Sequence, residues 1–161
     1  MGIYQKQFNE IKGLLIYEMG DMEFCSDVKD IVAVVKTNEV RQLIKQDSSS
    51  SIEYNKMEFK LIDLHKIYGL RPLNASKDVR VIFHEMYGKR FCFKVDLVKE
   101  ILTTDIIFIE KSLDIIPSKE KNYINSILKY KSRKIYIPGF EQISKELEKL
   151  SNPLPHVYNW A

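Results

Sequence analysis

Two cysteines, six glycines, five prolines, three histidines and one tryptophan are all that 161 residues hold of the types on which many special architectures depend. Cys25 and Cys92 lie far apart, each inside an apolar, strand-like stretch and not in a CxxC pair. They read as small buried thiols, so neither a disulfide framework nor a zinc knuckle is expected. His65, His84 and His156 show no HxxxH spacing and have no cysteine beside them, which leaves a zinc site without a ligand set. The phosphate-cradling patterns GxxxxGK[ST] and GxGxxG are missing too. No run approaches the ~18 continuous apolar residues of a membrane span. The first residues, MGIYQKQFNEIKG, lack the apolar core of a secretory signal, and Lys6 stands where a myristoylation pattern requires Ser or Thr. The expectation is a cytoplasmic protein with no membrane insertion, no cofactor and no metal.

Charge of one sign is also scarce. Lys and Arg number 25 against 22 Asp and Glu, a net charge of +3, with both signs interspersed. Dedicated nucleic-acid domains gather more basic charge on one face. One basic cluster, Lys129-Tyr130-Lys131-Ser132-Arg133-Lys134, lies between two strand-like segments and reads as a solvated hairpin. A small basic barrel binding nucleic acid is the alternative it keeps open, and salt-sensitive binding would be its mark. No catalytic constellation emerges, and the expectation is that the protein is not an enzyme. His84 falls within a strand and reads as a packed structural histidine, while His65 reads as a surface residue.

What the chain does have is short β-type runs. They fall at 14–17, 24–25, 31–35, 59–64, 79–85, 90–95, 101–102, 105–110, 123–130 and 134–137. So many short strands at close spacing predict an all-β barrel or sandwich. The run IVAVV at 31–35 has no polar alternation and reads as a strand buried on both sides. Phe140, Ile143, Leu147 and Leu150 follow 3-4-3 spacing and predict an amphipathic helix over 140–150. A single helical turn is expected after Asp63, which can cap it, with Gly69 closing it. Val40, Leu43 and Ile44 allow another short helix. The serine run at 47–51 and the tail at 151–161, with Tyr158 and Trp160, read as loops.

An internal repeat organises these runs. IYEMGDMEFCSDVKDIVAVV, from Ile16, aligns without gaps to FHEMYGKRFCFKVDLVKEIL, from Phe83, an offset of 67. Glu18 matches Glu85, Met19 matches Met86, Phe24 matches Phe91, Cys25 matches Cys92 and Val28 matches Val95. A looser match pairs FKLIDLHKI, from Phe59, with IYIPGFEQI, from Ile135, each running from a strand through a turn into a helix start. Two copies are too few for a solenoid, which needs about three. They predict a mainly β fold of two pseudo-repeated small barrels packed together, with a C-terminal helix. The first barrel is expected over about 14–70, the second over about 79–140, the helix over 140–150 and a tail beyond.

Four segments, FCSDVKDI from Phe24, LIDLHKIYGL from Leu61, VDLVKEIL from Val95 and YINSILKYKSRKIYIPGFEQISKEL from Tyr123, occur in the order and spacing of a CheW-like domain. The chain resembles that family from about Leu14 to Leu147. The resemblance implies five-stranded, SH3-like barrels and a noncatalytic chemotaxis-type adaptor whose partners are the regulatory domain of a histidine kinase and the cytoplasmic tip of a chemoreceptor. A diverged paralogue that binds only one of them, or competes for it, is the runner-up.

Departures from the family pattern locate the candidate partner site. Counting back from Asp63, Asn55 stands where the family's I-N-L-R-G segment has its arginine, and Asn lacks the charge and forked donors of Arg. Ala33 replaces a frequent Glu that the second half keeps as Glu100, and His65 replaces an arginine after the V-I-D-L strand. By resemblance the partner-binding residues are Asp27, Lys29, Asp30, Ala33, Asn55 and Lys56. A core role competes with exposure for Val28, Ile31, Val34 and Val35.

Overall fold

The computed structural model describes residues 13–40, 51–73, 77–103, 109–110 and 123–149, excepting the side chains of 109–110 and 146–149. Its strands are β1 (Leu14–Met19), β2 (Met22–Asp27), β3 (Ile31–Lys36), β4 (Ser51–Tyr54), β5 (Met57–Leu61), β6 (Arg80–Met86), β7 (Lys89–Val95), β8 (Leu97–Leu102), β9 (Ile109–Glu110), β10 (Ile124–Tyr130) and β11 (Arg133–Pro138). Three helices accompany them, α1 (Thr37–Val40), α2 (Leu64–Tyr68) and α3 (Phe140–Lys149).

Tight turns set the strand registers. Asn55-Lys56, Tyr87-Gly88 and Lys131-Ser132 each place two residues at positive φ between paired strands. Two left-handed residues give a turn whose twist matches that of the flanking strands. Gly20, at φ 62°, opens the corresponding β1–β2 turn. Asn55 is thus suited to its place by backbone chemistry, because Asn tolerates the left-handed region better than most side chains.

The strands form two sheets, one of six in the order β8-β1-β2-β11-β10-β9 and one of five in the order β3-β6-β7-β5-β4. The mainly β architecture of two curled sheets matches expectation, but the sheets are not contiguous halves of the chain. Hairpin β1–β2 joins the strands of the second half, and hairpin β6–β7 joins those of the first. The division at about residue 70 is corrected accordingly. Its cause lies in the connections: the 3-10 turn Val28–Asp30 carries the chain from β2 into the other sheet, and Asp96 alone separates β7 from β8.

The repeat is present in the pairing itself. Ile16 pairs with Glu100 and Tyr17 with Val98, across a register shift. Adding 67 to the first-half members and subtracting it from the others gives Phe83 with Ala33 and His84 with Ile31, which pair across the same shift. The looser match, at an offset of 76, holds as well. Leu61 lies beside Cys92 and Lys60 beside Phe91, while Tyr136 lies beside Phe24.

Each sheet curls around its own interior. Leu14, Ile16, Cys25, Leu102, Leu128 and Ile135 fill one. Their repeat equivalents Val81, Phe83, Cys92, Val35, Ile52 and Phe59 fill the other, joined by Val40 and Leu61. A third cluster, with Tyr17, Phe24, Tyr68, Phe91, Phe93 and Phe140, is shared between the sheets. Burial pushes the Cys25 and Cys92 thiols up, so both stay protonated and inert.

Asp63 caps α2 by accepting from the Lys66 N–H at 3.1 Å, and Gly69 closes the helix in the left-handed conformation, as expected. The apolar run at 31–35 is corrected. β3 is an edge strand whose Val32 and Val34 are 38% and 42% exposed, and only Val35 is buried. Only the first turn of the helix expected near Val40 is described, and Leu43, Ile44, the serines at 48–50 and the tail with His156 lie outside the described residues.

Candidate functional site

The pseudo-twofold arrangement creates two equivalent corners where the sheets meet, and they are built differently. At one corner Asp96 is buried at the β7–β8 junction. Its Oδ2 accepts from the Gly20 N–H at 2.6 Å, and its Oδ1 lies 3.1 Å from Nε2 of His65. The Asp96 N–H donates to the Glu18 carbonyl at 2.9 Å. His65 is therefore not a surface residue. It is buried, on α2, and helps tie three elements together. A buried carboxylate that accepts two such bonds is satisfied, and removing it would strand both donors.

At the other corner the same positions do not close. Lys29 is the repeat equivalent of Asp96, Glu141 of His65 and Tyr87 of Gly20, by the offsets of 67 and 76. Lys29 turns to Asp27 at 3.5 Å, and Glu141 pairs along its helix with Lys145 at 3.5 Å. A cavity of about 210 Å³ lies between them, with Leu14, Asp30, His84, Met86, Asn125 and Phe140 on its walls.

Two groups at this corner lack partners. His84 is 1% exposed, and neither ring nitrogen has a hydrogen-bond partner. The repeat explains the orphan. Its equivalent, Tyr17, bonds through its hydroxyl to Ser26 Oγ at 2.8 Å, but Phe93 occupies the place of Ser26. His84 instead stacks against Phe91 at 5.3 Å and lies near Phe93 and Phe140. Burial pushes its pKa down to about 3, so it is neutral near pH 7. Asp30, partly buried, has no ion-pair partner among the described residues. Burial first, and the charge of Asp27 second, hold its carboxyl above the usual range.

The structure brings Asp27, Lys29 and Asp30 together at the open corner. Asp27 caps the turn there by accepting from the Lys29 N–H at 3.0 Å. Ala33 leaves the corner along β3 and packs against the interior of the five-stranded sheet, as do Tyr54 and Met57, which flank the exposed turn of Asn55 and Lys56. The six residues thus form two groups, one along the turn and β3 and one on the β4–β5 turn, at opposite ends of the five-stranded sheet's strand order. An apolar patch adjoins the first: Val28 is 40% exposed and Ile101 57% exposed, and a Cβ on Gly13 would touch both. The basic hairpin is less free than its sequence suggests, because Arg133 pairs with Glu23 and Glu100. Asp96, His84 and Glu141 escaped the sequence reading as site residues. The signal was available for His84, whose repeat partner's bonding mate is replaced by Phe93.

A family model for the CheW-like domain matches residues 13–148. The chain belongs to the CheW-like domain family. Among solved structures it is similar to the scaffolding protein TtCheW from Thermoanaerobacter tengcongensis, with a TM-score of 0.63 and 23% identity. That match covers 79% of this chain and 88% of the other, and it establishes the shared fold. No curated protein matches the chain. CheW-like domains are noncatalytic scaffolds of chemotaxis-type signalling, so this chain is an adaptor and not an enzyme. Among the described residues, no helix is long and apolar enough to cross a membrane, and no group of three or more His, Cys, Asp or Glu is placed to hold a metal.

Proposed function

We propose that this CheW-like domain joins a chemoreceptor's cytoplasmic tip to the regulatory domain of a histidine kinase in the cytoplasm, with the face around the Val28–Asp30 turn as a docking surface. The observation that carries this reading is the exposure of Val28, Val32, Val34 and Ile101, with Val28 and Ile101 together beside Gly13, and, in the same turn as Val28, the carboxylate of Asp30, which has no ion-pair partner among the described residues. Apolar contact with a polar rim is the composition of protein-binding surfaces. A second contact is assigned to the hairpin tip of Asn55 and Lys56, which offers no bidentate cation and so favours partners with altered complementary charge.

Calorimetric titration with the kinase regulatory domain, and separately with a receptor-tip hairpin, tests the reading. Micromolar binding is expected, with Val28→Glu weakening it at least tenfold and Asn55→Ala weakening it less. A folded protein that binds neither partner would overturn the proposal.

A further inference from the structure

The two corners are one architectural position occupied in two ways. In the closed corner a side chain from the helix, His65, enters the junction between sheets and places its Nε2 against the Asp96 carboxylate. In the open corner the equivalent residue, Glu141, is exposed and paired with Lys145, and the junction is left as a cavity. The closed corner shows how such a junction is filled, by a donor-bearing side chain seated beside a carboxylate; at the open corner Lys29 stands in the place of Asp96, and the carboxylates are those of Asp27, Asp30 and Glu141.

Charge specifies the occupant. Asp27, Asp30 and Glu141 line the cavity against one cation, Lys29, which is already drawn to Asp27. The sum is −2, read from those four side chains. His84 adds a neutral imidazole with no partner for either nitrogen, and one of those nitrogens is a free acceptor. Leu14, Met86, Ile137 and Phe140 supply apolar walls. A cavity of about 210 Å³ is larger than the ~150 Å³ that accepts benzene. An aliphatic stem ending in a planar, multiply donating cation fits this combination, and a guanidinium has such donors.

We propose that the open corner is a socket for one arginine side chain, supplied by a protein segment that docks over the Val28–Asp30 turn. The guanidinium lies against Asp30 and reaches toward His84, while its stem packs on Leu14 and Phe140. Docking thereby completes at this corner what His65 completes at the other. This identification of the occupant rests on the adaptor reading for its source in a partner protein.

The test uses the full chain, ¹⁵N-labelled, at pH 7 and low salt. It is titrated with N-acetyl-arginine methylamide and, separately, with the citrulline analogue, which has nearly the same shape and no charge. Saturable shifts are expected at Ser26, Asp27, Asp30, His84, Tyr87 and Asn125, with citrulline binding at least fivefold more weakly. Asp30→Asn is expected to weaken the arginine probe about fivefold, the scale of one partly exposed ion pair. His84→Phe, which keeps the aromatic packing, is expected to weaken it further. The spectra report folding of each variant directly. Non-saturable shifts, equal binding of both probes, shifts centred elsewhere, or an Asp30→Asn variant with undiminished affinity would each overturn the socket. Binding of the probe without any kinase or receptor partner would sink the adaptor reading alone. A partner that binds while the probe leaves these residues undisturbed would sink only the socket.

Discussion

Tyr17 and His84 occupy the same place in the two repeats, yet one is satisfied and the other is not. Tyr17 has Ser26 across the hairpin, while His84 faces Phe93 there and a cavity nearby. The contrast extends outward. Asp96 gathers Gly20 and His65 into a closed cluster, and at the equivalent corner Lys29 and Glu141 each turn away to other partners. Two copies of one unit have thus divided their tasks, one corner fastening the sheets and the other remaining available. The outer faces have diverged in the same sense. Glu18, Glu23, Lys99, Glu100 and Arg133 form an ion-pair network on the six-stranded sheet. Their counterparts on the other sheet are exposed Val32, the partly buried Ala33 and Met57, which pack on its interior, and the Glu85–Arg90 pair at 2.7 Å.

The two interiors hold side chains of different size at equivalent positions, Phe83 against Ile16, and Phe83→Ala is the most damaging single change. It removes a ring fully buried between Phe59 at 5.0 Å and Tyr54 at 4.8 Å, and a loss of about 4 kcal/mol is expected in urea denaturation. The same change at its repeat equivalent, Ile16→Ala, should cost about 3 kcal/mol, because a smaller side chain leaves a smaller cavity. Equal losses would erase the distinction between the interiors.

Asp96→Ala attacks the fastened corner. It strands the Gly20 N–H and the His65 ring in a buried site, and about 3 kcal/mol of stability should go with it. Asp30→Ala at the open corner should cost well under 1 kcal/mol, since that carboxylate has no ion-pair partner among the described residues to strand. Similar costs for the two would mean that both corners are fastenings.

A pH titration of stability distinguishes the corners through His84. Its folded pKa of about 3 lies below the ordinary value of 6.5, so between those limits the unfolded chain binds more protons than the folded one. Stability from this group is therefore full above pH 6.5 and falls as the pH drops toward 3. At pH 5 the loss should be about 2 kcal/mol. His84→Phe should flatten that slope and raise stability near pH 7 by about 1 kcal/mol, because it removes an unsatisfied buried polar group. A variant with the wild-type slope would show that His84 is not buried and neutral.

The smallest effect is expected on the surface. Arg133→Met, which copies its equivalent Met57, should cost no more than about 1 kcal/mol, and less in high salt. A large, salt-independent loss would show that the network is structural.

Much of this division was legible in the residues. The gapless alignment at an offset of 67 fixed the equivalence of Ile16 with Phe83 and of Cys25 with Cys92, and both pairs take matching interior positions. The helix ends at Asp63 and Gly69 were readable from capping chemistry. The exchange of hairpins was not readable. Each hairpin shows the same apolar alternation whether it pairs within its own half or across, so pattern alone cannot choose. Exposure of Val32 and Val34 was hidden for a related reason, since an edge strand and a central one share the run IVAVV. Burial of His65 depended on Asp96, 31 residues away, and nothing local announces such a pairing.

The most direct measurement follows partner binding at both corners at once. The ¹⁵N-labelled chain is titrated with the kinase regulatory domain and then with the receptor-tip hairpin, and amide shifts are mapped. The division of tasks requires that at least one partner perturb Asp27–Asp30, His84 and Tyr87 while Gly20, His65 and Asp96 stay unchanged. Perturbation centred on Gly20, His65 and Asp96, with the open corner silent, would contradict it.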